Sequence, residues 1–400
     1  MKKYIYPIIG YILVIATIIV FQACSDNNPV TPETHERGQI AQTNSLGVMT
    51  VSEIEQIFTE SNTQIPFTFN YSVEIISITY YTIDGRGDEI LVSGALYVPQ
   101  NVNNLPLISL QHGTQTKQDL VASISPYNSV EGTIGLITAT LGYLTVIPDY
   151  LGFGVSNIMH PYLHAASLVP SVIDLMRAAK TYSLKNNLIL DERVFLTGYS
   201  EGGYLSLITQ KFIEENYSSE FNLTAVAPLS GPYDIKGMME TIFHSGTYIT
   251  PAYIAYFITA YNQIYRWGRL NDFFNPPYAS MMPELFDGSK TWGEIINQLP
   301  TSFTELVKPT FISDVLNGNE LDFVNSLQEN TLLNWTPKTP IHFFHGNADE
   351  VVPYQNVLTA IDAFTLRGAT NIQLTTIPGG THLTSGPNES IRAIQWFESF

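Results

Sequence analysis

The rhythm of apolar and polar positions changes several times along the chain. Residues 4–21 are almost continuously apolar, and residues 25–46 are polar, rich in Asn, Pro, Thr, Glu and Gln. From Val48 onward the pattern becomes periodic. Residues 52–58 have helical spacing. Residues 73–81 alternate, with Ile76, Ile78 and Tyr80 on one face, and a second strand runs over 90–98 after the turn residues Asp84-Gly85-Arg86-Gly87-Asp88. This spacing predicts an antiparallel hairpin. Continuous apolar runs then follow at 105–111, 143–147, 193–197, 223–229, 341–344 and 372–377. Between them lie helical repeats: Val169, Val172, Ile173 and Met176; Leu205, Ile208 and Phe212; residues 354–367; and Ile391, Ile394 and Phe397. Strands apolar on both sides, alternating with helices, predict an α/β fold with a mostly parallel central sheet covered on both faces.

Residues 234–338 interrupt the alternation. Helical stretches near 251–266, 292–299 and 321–327 are separated by Pro-rich joints such as Asn275-Pro276-Pro277, and aromatic residues are frequent. The segment reads as a helical lid inserted after the sixth strand of the series, most of its aromatics forming a core of its own. The expected organisation is a core of residues 48–233 and 339–400 carrying the lid 234–338.

The amino terminus adds a destination. Lys2 and Lys3 precede the apolar run, and Ala23-Cys24 closes it, which is the layout of a secretory signal. Cys24 is the only cysteine. Its position resembles a bacterial lipoprotein lipobox, with Phe21 where leucine is usual. That resemblance implies a signal peptide over 1–23, cleavage before Cys24, lipidation of Cys24, and a disordered tether over 24–47. It implies an exported protein anchored in a bacterial cell envelope, at the outer membrane or cell surface. An uncleaved single-span anchor is the alternative. With Cys24 so used, neither a disulfide nor a cysteine nucleophile is expected.

Composition narrows the function. With 400 residues, 44% hydrophobic, the chain is able to bury a large core. A formal charge of −18 argues against nucleic-acid partners and favours neutral or cationic substrates. Phosphate-loop, dinucleotide and zinc motifs are absent from the sequence, so no cofactor and no metal is expected.

The candidate chemistry sits just past the predicted strands. The run Val194-Phe195-Leu196-Thr197-Gly198-Tyr199-Ser200-Glu201-Gly202-Gly203 places Gly-x-Ser-x-Gly between a strand and a helix, the context of a nucleophile elbow. Ser200 is the candidate nucleophile. His382, in Gly379-Gly380-Thr381-His382, is the candidate base, and Asp349, in His345-Gly346-Asn347-Ala348-Asp349, the carboxylate that orients it. Glu350 is the fallback acid. An oxyanion needs backbone N–H donors. The amide of Glu201 is one candidate and that of Thr114 the other, with Gly113 as hinge and His112 shaping the loop. His160 and His164, four apart, read as capping or surface residues rather than metal ligands, and His342 and His345 as packing. Asp149 either supports the active-site loops or caps a turn.

Together these residues resemble the α/β-hydrolase family over 71–400. The resemblance rests on Gln111-His112-Gly113-Thr114, the Ser200 motif, the Asp349 motif and Gly380-Thr381-His382. The stretch Pro148-Asp149-Tyr150-Leu151-Gly152-Phe153-Gly154 and the lid resemble secretory lipases and their bacterial relatives. The resemblance implies a carboxylic-ester hydrolase of the triacylglycerol-lipase kind, acting on acylglycerols or shorter acyl esters without a cofactor. Two alternatives remain: a serine peptidase of the prolyl-oligopeptidase type, and an inactive surface-binding lipoprotein. The first lacks sequence for a propeller ahead of the sheet.

Overall fold

The computed structural model describes residues 34–60 and 65–400; the expected signal peptide and Cys24 lie outside them. Among the described residues nine strands form one sheet: β1 (Ile40–Met49), β2 (Val73–Ile83), β3 (Glu89–Pro99), β4 (Leu105–Gln111), β5 (Leu144–Pro148), β6 (Leu190–Tyr199), β7 (Leu223–Leu229), β8 (Ile341–Gly346) and β9 (Ile372–Ile377). Their spatial order is β1-β2-β3-β5-β4-β6-β7-β8-β9. The pairings β1–β2, β2–β3 and β3–β5 are antiparallel, and all the others are parallel. Every residue of β4 and β5 is buried. This explains their unbroken apolar runs, because a parallel strand covered on both faces has no solvent side to carry polar residues.

Helices cover both faces. On one lie α1 (Val51–Glu60) and α2 (Val130–Thr140), with Ile54, Phe58, Leu136 and Ala139 in a core shared with Ile108, Leu110 and Phe195 of the sheet. On the other lie α3 (Ala165–Lys185) and α4 (Glu201–Phe212), with Val172, Met176, Leu205 and Ile208 packed against Leu107, Val146 and Leu196. Each such buried Val, Leu, Ile, Met or Phe side chain contributes about 1.5–3 kcal/mol.

Residues 35–47, expected to belong to a tether, are instead folded: Arg37 bonds Asp174, the Gly38 amide donates to the Tyr81 carbonyl, and β1 starts at Ile40. It pairs along β2 from Ile40↔Tyr80 to Met49↔Val73, with register shifts at Ile40/Gln42 and Ser45/Gly47. An edge strand is held by backbone bonds on one side only, so it needs little apolar content. Five consecutive residues of β1, Ala41–Ser45, are exposed. Bulges of this kind also protect an edge from pairing with another chain.

The insertion follows β7, the sixth expected strand and the seventh in the chain. It consists of α5 (Ile235–Ser245), α6 (Ala252–Ile264), α7 (Leu270–Phe273), α8 (Tyr278–Leu285), α9 (Trp292–Ile296), α10 (Phe303–Leu306), α11 (Pro309–Leu316) and α12 (Leu321–Glu329). Its two ends meet. The Leu332 amide donates to the Tyr233 carbonyl at 2.8 Å, and the Lys236 amide to Thr331 Oγ1 at 3.0 Å. The helices end at Glu329, and residues 332–338 already run along the core. Trp335 packs against Phe364, on α13 (Gln355–Leu366), and the Lys338 amide donates to Glu214. The chain closes with α14 (His382–Phe397), on the face of α1 and α2. No helix of the described residues is long and apolar enough to cross a membrane.

Candidate active site

Parallel strands put their carboxyl ends along one edge of the sheet, where open α/β folds gather their sites. The turn between β6 and α4 lies on this edge. Ser200 has φ 58° and ψ −116°, a conformation that costs a non-glycine residue about 1–3 kcal/mol. The backbone around it leaves no room for side chains. A Cβ on Gly198 would lie 2.4 Å from the Gln111 carbonyl oxygen, and one on Gly202 would lie 2.1 Å from the same atom. The Ser200 amide donates to the Leu229 carbonyl at 2.8 Å, which pins the turn to β7.

His382 is the first residue of α14, behind a capping box formed by Thr381 and Thr384. Its Nε2 lies 2.9 Å from Ser200 Oγ, and its Nδ1 lies 2.7 Å from Asp349 Oδ2. A carboxylate accepts only, so Nδ1 carries the proton and Nε2 is free to accept from the hydroxyl. Tyr199 ties His382 to the elbow, because its hydroxyl donates to the His382 carbonyl. Asp349 is held from several sides. Oδ1 accepts from the Val351 and Val352 amides at 3.0 and 2.8 Å, and His345 Nε2 lies 3.3 Å from Oδ2. Burial pushes the Asp349 carboxyl up, but the hydrogen bonds from His345 and His382 outweigh it and bring its pKa to about 2. Glu350 is exposed and only accepts from the His382 amide at 3.2 Å. The structure therefore brings Ser200, His382 and Asp349 together and leaves Glu350 outside the line.

The loop after β4 faces the elbow. The Gly113 amide is engaged by Glu131 Oε1 at 2.9 Å, and Thr114 Oγ1 by the Tyr162 hydroxyl at 2.9 Å. The amides of Thr114 and Glu201 take no part in the turn and loop hydrogen bonds of the described residues. Asp149 is fully buried and supports these loops rather than capping a turn. It accepts from Ser93 Oγ at 2.6 Å and from the Ser123 hydroxyl, while its own carbonyl faces His112 Nε2 at 3.0 Å. Burial raises its pKa.

Three histidines depart from or refine the expectation. His160 is neither a cap nor a surface residue: it is 3% exposed and its Nε2 lies 2.8 Å from Glu201 Oε1. His164 does stand at the N-cap of α3, although buried, with Nδ1 against Ser167 Oγ, and burial lowers its pKa to about 4. His345 touches Asp349 and so is more than packing. Sequence reasoning also missed Tyr199 and Tyr162. Both contacts reach across long chain separations and leave no local pattern.

Ser200 opens onto a mostly apolar cleft. Its walls include Leu163 from the core, Met238 and Met239 from α5, and Tyr253, Ile254 and Phe257 from α6. Other aromatics of the insertion pack on one another. Phe311 contacts Phe243, Phe273 and Phe323, with ring centroids 4.6–5.9 Å apart.

The sheet order, the crossover helices and this edge-on site define an α/β-hydrolase fold. The secretory lipase family model matches residues 132–399, and the chain belongs to that family. It is similar to the rice cell wall degrading esterase LipA of Xanthomonas oryzae, with 28% identity, a TM-score of 0.84, and coverage of 91% of this chain and 99% of that one. Candida antarctica lipase A in its closed state shares the fold, at 17% identity and a TM-score of 0.69 over 91% of this chain and 82% of that one. Lipase A of Moesziomyces aphidis is 23% identical over 253 residues, 61% of this chain. The chain spans about half the length of that curated relative, 51%.

Proposed function

We propose that this chain is a serine carboxylic-ester hydrolase. One observation carries the reading: Ser200, His382 and Asp349 stand in hydrogen-bond succession at the head of an apolar cleft. In the proposed cycle the Ser200 hydroxyl gives its proton to His382 Nε2 as Oγ attacks the ester carbonyl carbon. The oxyanion is received by the Glu201 and Thr114 amides. His382 then protonates the departing alcohol oxygen, leaving an acyl-Ser200 ester. Water gives a proton to His382, attacks the acyl carbon, and releases the acid while the proton returns to Ser200. Asp349 stays ionised and balances the imidazolium.

The apolar cleft suits an acyl chain, and the part of the insertion formed by α5 and α6 lies where it can select chain length. Exported placement, with a leader over 1–23 and a lipid on Cys24, is supported by the sequence layout and by the family's secretory description. Metabolic labelling that left the chain without fatty acid would remove the anchor from this reading. The central test is labelling with a fluorophosphonate alongside hydrolysis of nitrophenyl butyrate. Both are expected in the native chain, and both are expected to disappear in a folded Ser200→Ala variant. Turnover that survives the substitution would overturn the mechanism.

A further inference from the structure

A second acid–imidazole pair lies directly behind the elbow. His160 Nδ1 is 2.7 Å from the Leu151 carbonyl oxygen, and His160 Nε2 is 2.8 Å from Glu201 Oε1. A carbonyl oxygen only accepts, so Nδ1 carries a proton. Nε2 and a carboxylate oxygen would then confront each other lone pair to lone pair unless a proton stands between them. The pair therefore holds one proton more than a neutral imidazole beside a carboxylate. Its net charge is zero whichever partner formally owns that proton.

Among the described residues, His160 is the only basic side chain within ion-pair distance of Glu201. Glu201 is fully buried, and its Oε2 has no hydrogen-bond partner among the described residues. The titratable groups facing Glu201 are the phenols of Tyr150, Tyr162, Tyr204 and Tyr256. Each has its pKa raised first by burial and also by the Glu201 charge, so each stays neutral. By the same rule His112, whose nitrogens face the Gly113 and Asp149 carbonyls, holds a proton on each nitrogen, and its charge lies beside the buried Asp149 carboxyl rather than bonded to Glu201.

We propose that His160 is a positioning residue for ester hydrolysis. By holding the proton that neutralises Glu201, it lets the Glu201 amide receive a developing oxyanion without a negative charge on the same residue. This rests on the reading of Ser200 as the nucleophile. In a dry site an unbalanced carboxylate within a few ångströms of an oxyanion repels it strongly. Removing the balancing proton is expected to lower kcat by roughly 10- to 100-fold, with KM little changed.

The test compares His160→Gln with the double variant His160→Gln/Glu201→Gln. Glutamine at 160 can still donate to Glu201 but carries no charge. The single variant should lose kcat on nitrophenyl butyrate, more at alkaline than at acid pH, and the double variant should recover most of the loss. Equal impairment of the two, with no pH dependence, would mean that the imidazole only fills space, and would overturn the proposal. If the single variant does not fold, nitrogen-15 NMR of histidine-labelled native protein decides. A proton retained between His160 Nε2 and Glu201 across neutral pH supports the proposal; its loss there overturns it. Native protein that neither turns over the ester nor reacts with a fluorophosphonate would instead defeat the reading of Ser200.

Discussion

Two buried acid–imidazole pairs flank one serine, and they hold their protons differently. Between Asp349 and Ser200, His382 meets a carboxylate on one nitrogen and a hydroxyl on the other. A hydroxyl both donates and accepts, so the neutral ring satisfies both neighbours and can still take a proton when Ser200 loses one. Between Leu151 and Glu201, His160 meets two acceptors. It is already committed and has no vacant nitrogen for chemistry. The difference comes from the atom at the far nitrogen and not from the acid. A histidine beside a carboxylate is thus a candidate base only when its other nitrogen faces something able to give up a proton.

The largest way to break this contrast is at Asp349. In the proposed cycle Asp349→Asn removes the charge that balances the imidazolium, so kcat should fall by about 10⁴-fold. Glu350→Gln should cost little, since Glu350 meets only a backbone amide. Steady-state kinetics of the two variants check this, and a reversed ranking would move the acid to Glu350. A smaller effect should appear away from both pairs. Met239→Trp narrows the cleft without touching either imidazole, so octanoate ester turnover should fall about tenfold relative to acetate. Equal losses on the two esters would deny the cleft a role in chain selection.

The smallest effect sharpens the role of the partner. Glu389 is a fully buried carboxylate that accepts from Ser230 Oγ at 2.9 Å and, among the described residues, has no imidazole bonded to it. Burial raises its pKa to about 7, only partly offset by His345 and the serine hydroxyls, whereas Asp349 with two imidazoles sits at about 2. The signs follow from linkage. The raised Glu389 contributes stability below its unfolded value, and this is lost as pH rises through about 7. The depressed Asp349 contributes stability above its unfolded value, and this is lost as pH falls through about 2. Native protein should therefore lose a few degrees of Tm between pH 5 and 8, and Glu389→Gln should flatten that slope. A slope that survives the substitution would point to another group.

Much of this was legible in the sequence, for a physical reason. Parallel strands buried on both faces write themselves as apolar runs, and the loops that follow them carry Ser200, Asp349 and His382. β1 was not legible, because an edge strand is held by backbone bonds that leave Ala41–Ser45 free to be exposed. His160 was not legible either. Its partner lies 41 residues away, and the bond that defines it is a tertiary one. The aromatics of the insertion looked alike in sequence. Tyr253 and Phe257 face the cleft, while Phe311 and Phe323 face each other, and only packing separates them.

The insertion leaves the core at Tyr233 and returns beside it at Leu332, within one hydrogen bond. The segment between them is therefore a cassette whose two terminals share a socket. Swapping it for a cassette of another length should leave the span to be bridged unchanged, and the cost of closing a longer loop grows only slowly with its length. A gene could thus lengthen, shorten or trade this segment while the sheet and its serine stay in place, so descendants of one catalytic core could diversify through exchangeable roofs.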